Sequence, residues 1–138
     1  TLGLTVELSV AGDNSLFIAD RNEGNYDFFL GGWYSDYNDP LDFLYTNYTD
    51  AYGMSFGGYS NPDYDALADQ LVGETDMDKR LDIYKQMEQI LLLDDCAFAP
   101  IYYATKQVLL QNWVKDYRTS SFGASAEFIW TYIDGKNQ

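Results

Sequence analysis

The order in which hydrophobic periodicity changes constrains this chain most. Leu4-Thr5-Val6-Glu7-Leu8-Ser9-Val10 alternates apolar and polar residues, the pattern of a strand with one covered face. Residues Asp13 to Asn22 then read as a short helix. Asp13 or Asn14 can cap it, Leu16, Phe17 and Ile18 are its core candidates, and Gly24-Asn25 ends it. Tyr26–Gly32 is a nearly continuous apolar run, as expected of a strand covered on both faces. A strand, a short helix and another strand predict a parallel βαβ crossover, and with it an α/β fold.

The remainder reads as mostly helical, then as strands. Asp39-Pro40 is a helix start, with Asp as the cap and Pro in the first turn, and a short helix follows through Leu41, Phe43 and Leu44. Asn47 to Gly58 reads as a loop. Asn61-Pro62 repeats the start signal and opens a helix to about Val72 through Tyr64, Leu67, Ala68 and Leu71, which Gly73 breaks. Thr75-Asp76-Met77-Asp78 resembles a capping box with Asp in place of Glu. The helix after it is the clearest element: Met77, Leu81, Tyr84, Met87 and Leu91 form an amphipathic stripe read as core packing, and the helix ends near Asp94. Phe98–Ala104 and Val108–Gln111 read as strands, Trp113–Ser125 as irregular, and Glu127–Ile133 as a last strand or a helix turn ending at Gly135. The 138 residues suffice for one α/β domain. Gly3 reads as a helix-closing residue with no helix before it, so the chain is expected to be a piece of a longer protein.

Composition excludes several functions. The formal charge of −14 argues against nucleic acid as a partner, because phosphate recognition needs clustered Lys and Arg. No Lys or Arg lies between Arg21 and Lys79, whereas twelve acidic residues do, from Glu23 to Asp78. Such a field favours cations and amines, although most of these acids read as helix caps and solvated loops. Histidine is absent, which removes His-based nucleophile activation and the commonest zinc ligand. Cys96 stands alone in an apolar run and reads as a small buried hydrophobe. A calcium loop starting at Asp36 fails: Leu41 holds the sixth position and Asn47 the twelfth, where Gly and Glu are needed. No metal, cofactor or catalytic residue is expected, and the chain is not read as an enzyme.

The stretch Gly31-Gly32-Trp33-Tyr34-Ser35-Asp36 lies where a strand ends and a helix is about to start, the place where open α/β sheets bind ligands. Gly31 and Gly32 allow close approach to the backbone. Strand-end N–H and C=O groups can pair with an extended peptide. Trp33 and Tyr34 would wall a side-chain pocket, and Asp36 would accept hydrogen bonds from an ammonium. An ordinary solvated turn is the alternative reading.

Five blocks in order carry a family resemblance: Tyr26-Asp27-Phe28; Gly32-Trp33-Tyr34-Ser35-Asp36-Tyr37-Asn38-Asp39-Pro40; Gly58-Tyr59-Ser60-Asn61-Pro62-Asp63-Tyr64-Asp65; Arg80 to Leu91; and Ala99-Pro100-Ile101-Tyr102-Tyr103. Together they resemble the C-terminal part of the extracellular solute-binding proteins of family 5, the oligopeptide- and dipeptide-binding components of ABC importers. The resemblance implies a bilobal receptor of the class II periplasmic-binding-protein type, with residues 1–138 a single α/β domain forming part of its second lobe. It implies that Asp36 pairs with the α-amino group of a bound peptide and that the backbone of Gly32 to Ser35 pairs with the peptide main chain. The partners implied are short peptides and, through the full-length protein, ABC permease subunits. The setting implied is extracytoplasmic, with membrane attachment only by a lipid anchor on an N-terminal part outside this chain. The fragment is expected to self-associate through uncovered apolar surface. Nickel or sugar as the ligand, and a self-contained carbohydrate- or cation-binding module, remain the alternatives.

Overall fold

A computed structural model describes residues 2–50, 58–123 and 126–136. Its helices start where local side-chain chemistry dictates. Helix α1, Asn14–Glu23, is capped by Asp13, whose carboxylate accepts from the N–H groups of Ser15 and Leu16 at 2.8 and 2.9 Å. It ends at Gly24, which takes the left-handed conformation at φ 70°. Helix α2, Leu41–Tyr48, starts after Asp39-Pro40, with Asp39 Oδ1 accepting from the Leu41 N–H at 2.9 Å. It carries residues 47 and 48, placed in a loop by the sequence reading, as its last two. Residues 51–57 of that expected loop lie outside the described residues.

Helix α3, Pro62–Leu71, has Asn61 as its cap, as expected. Helix α4, Met77–Glu88, is capped by Asp76, not Thr75. The capping box of the sequence reading is therefore not formed: Asp76 bonds forward to the N–H groups of Asp78 and Lys79, while its own N–H donates to Glu74 at 2.8 Å. A π-helical stretch, Gln89–Asp94, continues α4. The chain leaves it through Cys96 at φ 50°, a conformation uncommon outside glycine.

The core is built by α2, α3, α4 and the π-helical stretch. Leu44, Tyr48, Tyr64, Ala68, Leu71, Ile83, Tyr84, Met87 and Leu91 are buried together. The stripe expected on α4 is half right. Tyr84, Met87 and Leu91 are buried, but Met77 and Leu81 are exposed and Ile83 takes a core position. The helix rotates its apolar face toward α3, so its first turn faces solvent. Among the described residues, no helix is long and apolar enough to cross a membrane.

The predicted strands behave differently. Residues 4–10, 26–32, 98–104 and 108–111 form no ladder, and the expected parallel crossover is absent among the described residues. A strand is stable only when its N–H and C=O groups have a neighbouring strand, and these segments have none here. Helix α1 does meet the segment after it, through Phe17 and Tyr26 packed edge-on against Phe29 at 5.9 and 5.0 Å, yet it buries no residue fully. Leu16 and Ile18, read as core candidates, are exposed. The ladder found is antiparallel: β1, Val114–Lys115, pairs with β2, Tyr132–Ile133, in the register Val114 to Ile133. It places β2 within the last expected strand, and β1 in a stretch read as irregular. Cys96 is exposed, contrary to its expected burial: of the apolar run it begins, Phe98 reaches the core, 5.9 Å from Tyr48, while Cys96 itself stays in solvent.

Candidate ligand-binding loop

Residues 31–40 carry the chain from the unpaired segment into α2. The anchor of this loop is Asp42, in the first turn of α2 and 1% exposed. One of its oxygens, Oδ2, accepts from the Trp33 indole N–H at 2.9 Å and from the Asp36 backbone N–H at 3.0 Å. Two residues three apart in the loop are thereby tied to a single oxygen on the helix. Ser35 adds to the turn by donating its hydroxyl to the Tyr37 carbonyl. From the far end of the chain, the Gly123 N–H donates to the Ser35 carbonyl at 2.8 Å. Gly123 sits at φ 65°, and a Cβ there would lie 3.4 Å from the Asp36 carbonyl oxygen, so close approach and conformation both favour glycine.

The five residues singled out in the sequence divide by environment. Trp33 and Ser35 are half-buried and held in place. Asp36 is exposed, and no described residue bonds to its carboxylate. Tyr34 is 65% exposed, with the Lys106 ammonium 5.4 Å from its ring centroid. Gly32 is exposed, and the main-chain groups of Gly32 and Tyr34 make no hydrogen bond among the described residues. The Ser35 carbonyl and the Asp36 N–H are already engaged. Of the backbone expected to meet a ligand, the Gly32 and Tyr34 groups therefore stay open among the described residues.

Behind the loop lies a second polar cluster that sequence reasoning did not find. Asp39 Oδ2 pairs with Arg80 Nη2 of α4 at 2.8 Å, and Asp39 Oδ1 accepts from the Tyr84 hydroxyl. Arg80 also donates to the Tyr84 hydroxyl oxygen at 2.5 Å and to the carbonyls of Leu71 and Glu74 at 3.4 and 3.1 Å. The cap position expected of Asp39 is held by Pro40, and the Asp39 carboxylate instead joins the Leu41 N–H to Arg80 and Tyr84. Burial alone would raise this carboxyl, but the bonds from Tyr84 and the Leu41 N–H, with the Arg80 charge, outweigh that and hold it below its ordinary value. Burial, and then the neighbouring Asp39 carboxylate, push the Tyr84 hydroxyl up. Asp50, Asp65 and Asp95 likewise bond to nearby loop and helix-start groups. Much of the acidic charge between Arg21 and Lys79 is thus structural, as the sequence reading expected.

No family model matches the chain. Similar proteins are nonetheless clear. The periplasmic oligopeptide-binding protein OppA of Escherichia coli K12 is 32% identical over 116 residues, covering 84% of this chain and 21% of that protein. The oligopeptide-binding protein OppA of Bacillus subtilis 168 is 35% identical over 118 residues, covering 83% and 20%. Among solved structures, the pheromone receptor PrgZ, described for its mode of peptide binding, overlays with a TM-score of 0.72 at 27% identity, over 96% of this chain and 25% of that one. The chain spans about a fifth of the length of the curated relatives it matches. The overlay makes the fold α/β, similar to part of those larger proteins, and the described residues are mostly helix with little strand. The order of blocks around Trp33 and Asp36, the helices that follow them and these likenesses agree: over most of its length the chain is similar to part of the oligopeptide-binding proteins.

Proposed function

We propose that this chain is part of the second lobe of a bilobal, non-enzymatic receptor that captures short peptides outside the cytoplasmic membrane and hands them to an ABC permease. In this reading Asp36 receives the α-ammonium of the peptide. The main-chain groups of Gly32 and Tyr34 pair with the peptide backbone, and Trp33 and Tyr34 flank its first side chain. The observation that carries the reading is an exposed Asp36 carboxylate, unpartnered among the described residues, on a loop whose neighbouring backbone is also open. Backbone pairing with one terminal charge clamp accepts many sequences, as a nutrient receptor requires. A lipid anchor elsewhere in the longer protein would hold it at the surface. The exposed apolar side chains of Leu4, Val6, Leu8, Ile101 and Leu109 would be covered there, and in the fragment they favour self-association.

The test is titration of the full-length protein with one short peptide, free or acetylated at its amino terminus. Asp36→Asn keeps the shape and removes the charge. Leaving an ammonium in a closed cleft without its partner costs roughly 2 to 5 kcal/mol, about 30- to several-thousand-fold in affinity. The variant is expected to lose that much for the free peptide and little for the acetylated one. Unchanged affinity for the free peptide would remove Asp36 from the site.

A further inference from the structure

The Asp36 clamp needs more than its own carboxylate. Its backbone is fixed by a buried residue of α2. Asp42 is buried, sits in the first turn of α2, and gives one oxygen to both the Trp33 indole at 2.9 Å and the Asp36 N–H at 3.0 Å. A buried carboxylate is costly unless hydrogen-bonded, and bonds to an ionised acceptor are the stronger kind. This one spans the loop from its aromatic wall to its acidic tip. We propose that Asp42 is a positioning residue for peptide binding. It locks Trp33 and Asp36 in one arrangement before the peptide arrives, so that little ordering remains to be done on binding.

The inference rests on the peptide-clamp reading and goes beyond it in assigning a function to a buried side chain. It makes a specific demand. Both loop donors meet the same oxygen, so an amide oxygen in its place can accept both bonds. Asp42→Asn should therefore preserve the arrangement, whereas Asp42→Leu removes it.

The experiment measures the ratio of affinities for a free and an N-acetylated peptide in the full-length protein, for the unmutated protein, Asp36→Asn, Asp42→Asn and Asp42→Leu. Asp42→Leu is expected to lower the ratio by about tenfold or more, the scale of one bond to a charged group, with the acetylated peptide nearly unaffected. Asp42→Asn is expected to keep most of the ratio. A merely structural residue would lower both affinities together, so an Asp42→Leu variant that weakens both peptides equally, or neither, overturns the inference. So does an Asp42→Asn variant that behaves like Asp42→Leu. If Asp36→Asn collapses the ratio while Asp42→Leu leaves it intact, the clamp stands and only the role of Asp42 falls. If Asp36→Asn leaves the ratio intact, the clamp itself is wrong. Should Asp42→Leu not fold, Asp42→Ser carries the test, because it keeps a small polar side chain in the first turn of α2 and removes the oxygen that both donors meet. A selective loss for the free peptide supports the inference, and an equal loss for both overturns it.

Discussion

Residues 39–95 and the segments on either side of them are built from the same kinds of side chain but reach opposite ends of burial. In the helical region Tyr64, Met87 and Leu91 are almost completely enclosed. In the flanks, Leu8 is 83% exposed and Leu109 fully so. The difference is one of partners. A helix satisfies its backbone internally and needs a neighbour only for one face, and α2, α3 and α4 supply neighbours for one another. A strand satisfies nothing alone. The apolar runs at 4–10, 26–32, 98–104 and 108–111 carry strand patterns and have no ladder here, so most of their side chains stay in water. The loop of residues 31–40, the proposed peptide site, lies at the border between the two. Its rigid side, Asp42 and Asp39, belongs to the helical region, and its open side, Gly32 and Tyr34, continues the flank.

The strongest way to break this comparison is to damage the enclosed half. Met87 is 0% exposed at the meeting of α3, α4 and the π-helical stretch. Met87→Ala should cost about 2 to 5 kcal/mol, the transfer term plus the cavity it leaves. Urea unfolding followed by helical circular dichroism reads this as a shift in midpoint with little change in slope. A loss under about 1 kcal/mol would mean that the helices do not form one cooperative core.

How much of this was legible in the sequence follows the same division. Asp13 and Asn61 were read as caps because a cap bonds two or three residues ahead, within the reach of a local pattern. The strands were legible as patterns but not as structure, since pairing depends on residues that the pattern does not contain. The Trp33 to Asp36 loop was legible from its residue types and from family resemblance. Its supports were not. Asp42 was read as one of the twelve acids between Arg21 and Lys79, and its partners lie nine and six residues back across a turn. Asp39 and Arg80 are forty-one residues apart, and no local pattern joins them. An acid in the first turn of a helix is usually a favourable charge near the helix dipole, and that ordinary explanation hides both roles.

The next effect down tests the seam between α2 and α4. The side chains of Arg80 and Asp39 are 13% and 32% exposed, and Arg80 also covers the carbonyls of Leu71 and Glu74. Arg80→Ala should cost about 1 to 3 kcal/mol, chiefly from groups left without a donor. Asp39→Asn keeps an oxygen for the Leu41 N–H and loses the charge, and it should show its effect in the pH dependence. The folded Asp39 carboxyl lies below its ordinary value, so the unfolded chain binds the proton more readily. Its contribution is therefore complete above the unfolded value of about 3.9 and is lost as pH falls through the folded one. Unfolding midpoints measured between neutral and strongly acidic pH should fall less steeply for Asp39→Asn than for the unmutated chain. Parallel curves would mean that the pair adds nothing to stability.

The smallest effect is the sharpest test of the exposed half. Leu4, Val6, Leu8 and Val10 alternate along one side of a would-be strand, and all four are more than 60% exposed. In this chain Leu8→Ala should change stability by no more than about 0.5 kcal/mol, as for a surface site. In the longer receptor proposed above, the alternation has a use only if that side is covered by a paired sheet or another layer. The same substitution there should cost about 2 to 5 kcal/mol, as for other core Leu→Ala changes. The informative quantity is the difference between the two proteins, measured by urea unfolding under one set of conditions. A large cost in the chain alone would mean that residues 4–10 already pack against something within it, and the contrast between the two regions would be lost. A negligible cost in both would leave the alternation without a covering layer and would count against assigning this segment to the sheet of a second lobe.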